Sequence, residues 1–439
     1  MSILDRLKKL YNFVNKSSSL KTAIIARSIQ TFLSKGVIFI ALVLYLNKTG
    51  TQLSSIALLM AVYFAPQLFL NAAIGSISDL LESHEFFILF SLILSGFIYF
   101  FYPIAGESGV YLVLGLRFIQ GILESPIRPL TQTLASSSGK KSNKNSAVSI
   151  FKISVFGAAS LGPLAVGFSL EHFHYEFVFP IAGIILIATG IGLWVIAYRS
   201  ISLTSTFENI FKLTRNSSLK RISLFFANTS IFSSFAGEEG GPSPFSASRW
   251  KTDPPSLFSL ITFIRRTAFQ IFLIFIPVYL ANIVSLSEGG VGTIEGARRM
   301  LIALTIAFCG PLADRWGRKP FLIIASLSSF GPLIYLTFPT RSGALAASAV
   351  LGVTVGLFNP TSITYMRELA PENKGATYLG SLESTSAVSR TIGPIIGGVV
   401  ASLAGLQVVF LIAGLVMFLT LPLSFFLQES KKPVKNGPV

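Results

Sequence analysis

The chain has 439 residues, of which 51% are hydrophobic and 12% charged, with a mean hydropathy of +0.68. A soluble protein of this length carries about 25% charged residues, so the composition excludes a soluble globule and indicates a polytopic membrane protein. The formal net charge of +16 would suit a nucleic-acid partner only if the cations gathered on one soluble surface; their placement in loops, set out below, argues against one.

A membrane-crossing helix needs about 20 mainly apolar residues. Residues 1–21 are polar and basic and lack a cleavable signal pattern. Within them Leu4, Leu7, Leu10 and Phe13 recur at helical spacing, which predicts a short surface helix. Twelve apolar runs then predict twelve spans, at 22–46, 53–78, 86–104, 109–131, 147–170, 177–198, 257–282, 290–313, 320–339, 343–366, 376–400 and 406–427. The fourth is the most polar of its half, carrying Arg117, Glu124 and Arg128.

The sixth and seventh spans are separated by residues 199–256. In 207–226, Phe207, Phe211, Leu219, Ile222 and Phe226 alternate with Lys212, Arg215, Lys220 and Arg221, the pattern of an amphipathic helix on an anionic membrane surface. Residues 235–256 are rich in Gly, Ser and Pro and read as a linker. The expected organisation is an N-terminal segment 1–21, a first half 22–198, a central loop 199–256, a second half 257–428 and a tail 429–439.

Lys and Arg in the loops set orientation. With both termini cytoplasmic, the inner segments hold 23 of them, the outer loops hold only Lys48 and Arg341, and the other 10 fall inside spans. This accounts for most of the basic charge without nucleic acid. The expected location is the cell membrane, with both termini in the cytoplasm.

The chain repeats. A shift of 231 residues aligns Gly162-Pro163 with Gly393-Pro394 and Gly167 with Gly398. A shift of 235 aligns Gly75 and Asp79 with Gly310 and Asp314, and Gly121 with Gly356. Related halves of this kind rock about a midplane site in secondary transporters.

Between the eighth and ninth runs lies Gly310-Pro-Leu-Ala-Asp314-Arg315-Trp316-Gly317-Arg318-Lys319-Pro320. So many charges cannot lie in hydrocarbon, which predicts a tight loop at a membrane face. Gly317 suits a positive-φ turn and Pro320 the first turn of the next helix. Asp314 stands at a helix C-terminus, where the dipole disfavours an anion, so it needs a partner.

This G-x-x-x-D-R-x-G-R-K pattern resembles the loop signature of the major facilitator superfamily. The resemblance extends to Leu116-Arg117-Phe118-Ile119-Gln120-Gly121, which is similar to the fourth-helix R-x-x-Q-G motif. It also covers the Gly/Pro motif at Gly157, Gly162, Pro163 and Gly167, matched more closely by Gly393, Pro394, Gly397 and Gly398 in the eleventh run. The first-half loop departs from the signature, because Leu80-Leu81-Glu82 replaces the basic residues after Gly75 and Asp79. The resemblance implies an all-α fold of twelve transmembrane helices in two pseudo-symmetric six-helix bundles. It also implies that Asp314 latches the outward-closed state, facing the start of the fifth span near Lys152, and makes Glu368 a partner for Arg315 or Arg318. The Gly/Pro motif is associated with antiporters; packing alone explains the same small residues.

Arg117, Gln120, Glu124 and Arg128 are spaced to share one helix face, and intramembrane charges of this kind line bundle interiors or watery cavities. Lys35 and Arg390 also lie near mid-span, whereas Arg27, Lys152, Arg265 and Glu383 lie near cytoplasmic ends and can snorkel. Glu124 is the candidate proton carrier, paired with Arg117. The excess of span cations over acids favours an anionic or zwitterionic solute. No G-x-x-x-x-G-K-[ST] occurs, so ATP is not expected to drive the protein. His84, His172 and His174 fall in loops and predict no metal, no cofactor is expected, and Cys309 reads as packing. The reading is a non-enzymatic secondary transporter, first a proton-coupled exporter of a small organic solute. Uptake symport or facilitated diffusion is the alternative, followed by a non-transporting receptor of the same fold.

Overall fold

A computed structural model describes residues 17–80, 84–138, 144–197, 242–244, 253–371 and 374–430. The expected surface helix in 1–21 and the amphipathic helix at 207–226 lie outside the described residues. Helical rods follow one another along the chain: α1 (Ser18–Lys48), α2 (Leu53–Leu80), α3 (His84–Tyr99), α4 (Val110–Ser137), α5 (Lys144–His172), α6 (Tyr175–Ala197), α7 (Pro254–Asn282), α8 (Glu288–Trp316), α9 (Lys319–Thr337), α10 (Arg341–Leu369), α11 (Gly375–Ala404) and α12 (Leu406–Phe425). Among the described residues ten helices are long and apolar enough to cross a membrane. α3 is apolar but shorter, and α8 carries Glu295, Arg298 and Arg299.

Local chemistry starts several rods. Ser17, Asp253, Ser287 and Thr340 each accept a hydrogen bond from a backbone N–H of the first turn of α1, α7, α8 and α10. The rods are not uniform. α1 passes through a π-helical stretch at Thr31–Ile38, the kind of widened turn that recurs at functional sites. α4 turns at Ser125 and Pro126. Both residues keep helical dihedrals, so the rod continues through the turn to Arg128.

Small residues bring the rods together, and the contacts repeat between the halves. Gly36 of α1 meets Gly162 of α5, where an added Cβ would lie 2.6 Å from the partner Cα. The equivalent contact sets Gly393 of α11 against Thr267 and Gln270 of α7. Gly167 of α5 meets Gly289 and Gly292 of α8, and Gly398 of α11 meets Ser54 and Ala57 of α2. These last two contacts join the halves. They lie near the start of α2 and α8, the end that the loop charges assign to the outside and that is called outer below. The bundle's perimeter is apolar, with Phe168, Val195, Phe308 and Leu403 exposed, as a lipid-facing surface requires.

The loop signature is more helical than its charge suggests. α8 continues through Trp316, so only Gly317 and Arg318 interrupt helix between α8 and α9. Gly317 takes φ +88° and Pro320 sits in the first turn of α9. His84 opens α3 and His172 closes α5, so neither is a loop residue.

Candidate functional site

The site forms around Glu124, buried at 2% exposure in α4. Its Oε2 accepts from Gln30 Nε2, from Ser34 Oγ at 2.8 Å and from Tyr63 OH at 2.7 Å. Its Oε1 accepts from Tyr99 OH at 3.0 Å and Gln120 Nε2 at 2.6 Å. Four rods, α1 to α4, supply these groups. All five donors are neutral, and among the described residues no cation pairs with this carboxylate.

Arg117 does not touch Glu124. Its Nη1 donates to Gln120 Oε1 at 2.6 Å, and Gln120 passes its amide on to Glu124. Tyr102 OH shares the Gln120 oxygen at 2.5 Å. The Arg117 guanidinium lies 4.4 Å from the Tyr63 ring centroid, and its Nε has no hydrogen-bond partner. The expected ion pair fails because residues seven apart on a helix lie about 10 Å apart along the axis, and Gln120 fills the gap.

The inventory of groups matters for proton handling. An ionised carboxylate accepts all five bonds. A protonated one donates through one oxygen, and a hydroxyl of Ser34, Tyr63 or Tyr99 can turn to accept. Either protonation state therefore finds partners without moving a backbone.

A second cluster joins the halves. Arg128 Nη2 of α4 donates to Glu383 Oε2 of α11 at 3.0 Å, and Arg390 Nη2 stands 3.8 Å from the same oxygen. Arg390 also donates from Nε to Ser386 O at 3.1 Å and lies 5.4 Å from the Phe64 ring centroid. Arg266 of α7 donates to Leu382 O at 3.1 Å, and Arg27 of α1 to Gln30 Oε1 at 2.6 Å. Lys35 lies within electrostatic reach of Arg27, Arg128, Arg390 and Glu124. Among the described residues its ammonium has no hydrogen-bond or ion-pair partner.

Two expected snorkelling residues are instead held inside. Arg265 is buried between Ser328 Oγ and Thr354 O and stacks 3.9 Å from the Phe358 centroid. Arg27 is buried against Gln30. In α8, Glu295 pairs with Arg298 at 2.6 Å and Arg299 at 3.6 Å, and Arg299 Nη1 reaches Lys35 O at 3.1 Å in the other half.

Both membrane ends carry fastenings. At the outer end Glu171 Oε1 accepts from Ser287 Oγ at 2.6 Å and from Gly289 N at 3.1 Å, and Tyr175 OH donates to Glu288. A cleft of about 500 Å³ lies beside this contact, lined by Leu164, Phe168, Glu171, Thr293 and Arg341. None of Glu124, Lys35 and Arg390 lines it, and it is not the candidate site. At the other end Arg318 Nη2 pairs with Glu368 at 3.2 Å, as expected. Glu429 accepts from Arg318 N at 2.7 Å and Lys319 N at 3.1 Å, capping α9. Arg315 is exposed and Lys319 Nζ donates to Phe425 O at 2.8 Å. Gly75, Asp79, Gly310 and Asp314 fall within helices, but their side-chain surroundings lie outside the described residues, and with them the expected approach of Asp314 to Lys152.

In the expected packing motif, Gly162, Gly167, Gly393, Gly397 and Gly398 make close contacts, while nothing lies within 4 Å of a Cβ added at Gly157. Pro163 and Pro394 lie inside their helices. Cys309 is buried against Leu357 O and Thr361, as packing requires.

Sequence reasoning passed over Gln30, Ser34, Tyr63 and Tyr99. The available signal was the polar stripe Arg27, Gln30, Ser34 in an otherwise apolar run. The tyrosines carry no such mark.

Compared with known proteins, residues 28–241 and 258–439 match the sequence model of the Major Facilitator Superfamily. The multi-drug resistance efflux pump PmrA of Streptococcus pneumoniae is 32% identical over 169 residues, 36% of this chain and 41% of the pump. The multidrug resistance protein MdtG of Proteus mirabilis is 29% identical over 180 residues, 40% of this chain and 44% of that protein. Each match thus spans less than half of the relative's length. The solved nucleoside transporter NupG superposes with a TM-score of 0.69 over 92% of this chain and 98% of its own, at 15% identity, a likeness of fold alone.

Proposed function

The chain belongs to the Major Facilitator Superfamily, and from that premise we propose that it exports a small organic solute in exchange for protons by alternating access. It is a multi-pass membrane transporter and not an enzyme. The observation that carries proton coupling is Glu124: a buried carboxylate with five neutral donors and no fixed cation among the described residues. Hydroxyl donors that can turn to accept leave partners for this carboxyl group in either protonation state. The export direction rests on the partial likeness to PmrA and MdtG, both named as drug-resistance proteins. The excess of cations at the inter-half cluster favours an anionic or zwitterionic solute. The asymmetry of loop charges favours a cell-membrane location with both termini in the cytoplasm.

Proteoliposomes loaded with a panel of charged aromatic solutes test this reading. Wild-type protein is expected to drive flux only when a pH gradient is applied. Glu124→Gln is expected to lose gradient-driven flux and keep solute exchange. Equal retention of both ends the carrier role; equal loss in a destabilised protein assigns Glu124 to structure alone.

A further inference from the structure

The cluster around Glu383 is out of electrical balance. Arg27 and Lys35 of α1, Arg128 of α4, Lys152 of α5, Arg266 of α7 and Arg390 of α11 share one region with two carboxylates, Glu124 and Glu383. Glu124 is committed to its five neutral donors. Arg27 and Lys35 lie within reach of Glu124, and Glu383 alone serves Arg128, Lys152, Arg266 and Arg390. Uncompensated charge at membrane depth is costly and marks a solute pathway.

Glu383 is also the member of its own bridge most open to water. Its side chain is 52% exposed, against 28% for Arg128 and 17% for Arg390. Both arginines reach the same oxygen, Oε2, and the two come from opposite halves. Arg390 is fixed besides by Ser386 O and Phe64, and among the described residues Lys35, in the π-helical stretch of α1, has no partner. Arg390 is thus held in place, while the carboxylate it shares with Arg128 is open to water.

We infer that Glu383 is a tethered stand-in for an anionic group of the solute, which displaces it from Arg128 and Arg390 on binding. The inference rests on the transporter reading above and names the charge its solute carries. Exchange of one carboxylate for another at the same guanidinium groups conserves the charge-assisted bonds. The half-exposed Glu383 side chain returns to water at little cost. A second anionic group, where the solute has one, finds Lys35. The exchange also removes a covalently anchored link between α4 and α11 and replaces it with a mobile one. Solute binding and the movement of the halves are thereby coupled through one contact.

The test measures binding to the purified full chain by calorimetry, with phthalate and benzyl phosphate as anionic probes and tetraphenylphosphonium as a cationic one. Wild type is expected to bind the anions in preference to the cation. Glu383→Gln, which removes the competing charge, is expected to tighten anion binding about tenfold or more, and Arg390→Gln to weaken it by a similar factor. Should Glu383→Gln fail to fold, Glu383→Asp, with a shorter arm, is expected to tighten binding in the same direction. Unchanged or weaker anion binding in the folded Glu383 variant overturns the inference. So does binding of the cation alone, or of neither anion. Proteoliposome flux of the same probes separates the two readings. Proton-driven flux of the cation without anion binding leaves the transporter and removes the stand-in. Anion binding that responds to Glu383 without flux of any probe keeps the stand-in and removes the transporter.

Discussion

Asn47 and Asn282 lie 235 positions apart and exchange amide hydrogen bonds, each Nδ2 donating to the other's Oδ1 at 2.9 Å. The separation equals the offset that relates the two halves. The pair is therefore an isologous contact on the pseudo-two-fold axis, each half offering the other the same group. It closes the outer end together with Glu171 on the start of α8. Asn47→Leu removes both bonds. A loss of about 1 kcal/mol is expected to raise the outward-open population about fivefold. Labelling from outside of a cysteine introduced at Ser54 reads that population; unchanged labelling would show that the pair does not hold the end shut.

Glycines in the same predicted motif should behave differently. At Gly162 and Gly167 an added methyl meets backbone of α1 and α8, and overpacking costs about 1–3 kcal/mol. Gly162→Ala and Gly167→Ala are expected to lower the thermal midpoint of the purified protein by several degrees. Gly157→Ala meets nothing within 4 Å and is expected to leave the midpoint unchanged or raise it. Equal effects at all three positions would contradict the packing described here.

Glu429 is expected to matter beyond its place near the end of the sequence. Its carboxylate satisfies two N–H groups at the start of α9 and stands against Gly317. Glu429→Ala should cost about 1 kcal/mol, the usual price of a lost cap, read as a lower midpoint with binding intact. Gly317→Ala should destabilise as well, because φ of +88° is strained for any side chain.

Asp314→Asn is expected to reduce flux while expression persists. A charge-assisted contact is worth about 1.5–3 kcal/mol, enough to move a two-state balance tenfold or more. Unchanged flux and unchanged accessibility from both sides would remove the proposed latch.

The proposed topology rests on the 23 cationic residues assigned to inner segments against two outside. Reporters fused at Lys141, within 199–256 and at Val439 are expected to report cytoplasm, and those at Lys48 and Glu288 the outside. An external signal from the central segment would refute the orientation.

The positions of the rods were legible because hydrophobic runs of spanning length have few other readings. Gly162-Pro163 and Gly393-Pro394 were legible because the offset repeats them, and Arg318 with Glu368 because both fall at the same membrane face. The candidate site around Glu124 was legible only in part. Arg117, Gln120 and Glu124 advertise themselves by charge on one helix. Their partners Gln30, Ser34, Tyr63 and Tyr99 come from three other rods; Arg27, Gln30 and Ser34 mark a polar stripe on α1, but no local pattern says which rod it meets. The bridge from Arg128 to Glu383 spans 255 positions, beyond any local pattern. The π-helical stretch of α1 leaves no mark in the sequence.

The charges of α8 bear on how the protein is made. Glu295, Arg298 and Arg299 lie within this one rod, and each arginine at the centre of a lone helix opposes insertion by about 2.5–3.5 kcal/mol. Their relief comes from within α8 and from older parts of the chain: Arg299 reaches Lys35 O, and Gly292 seats on α5. Contacts with the first half thus add to those that α8 makes within its own half, and they are expected to ease its entry into the bilayer. Expressed from separate messages, the two halves should yield a second half that is degraded alone and rescued when the first is supplied.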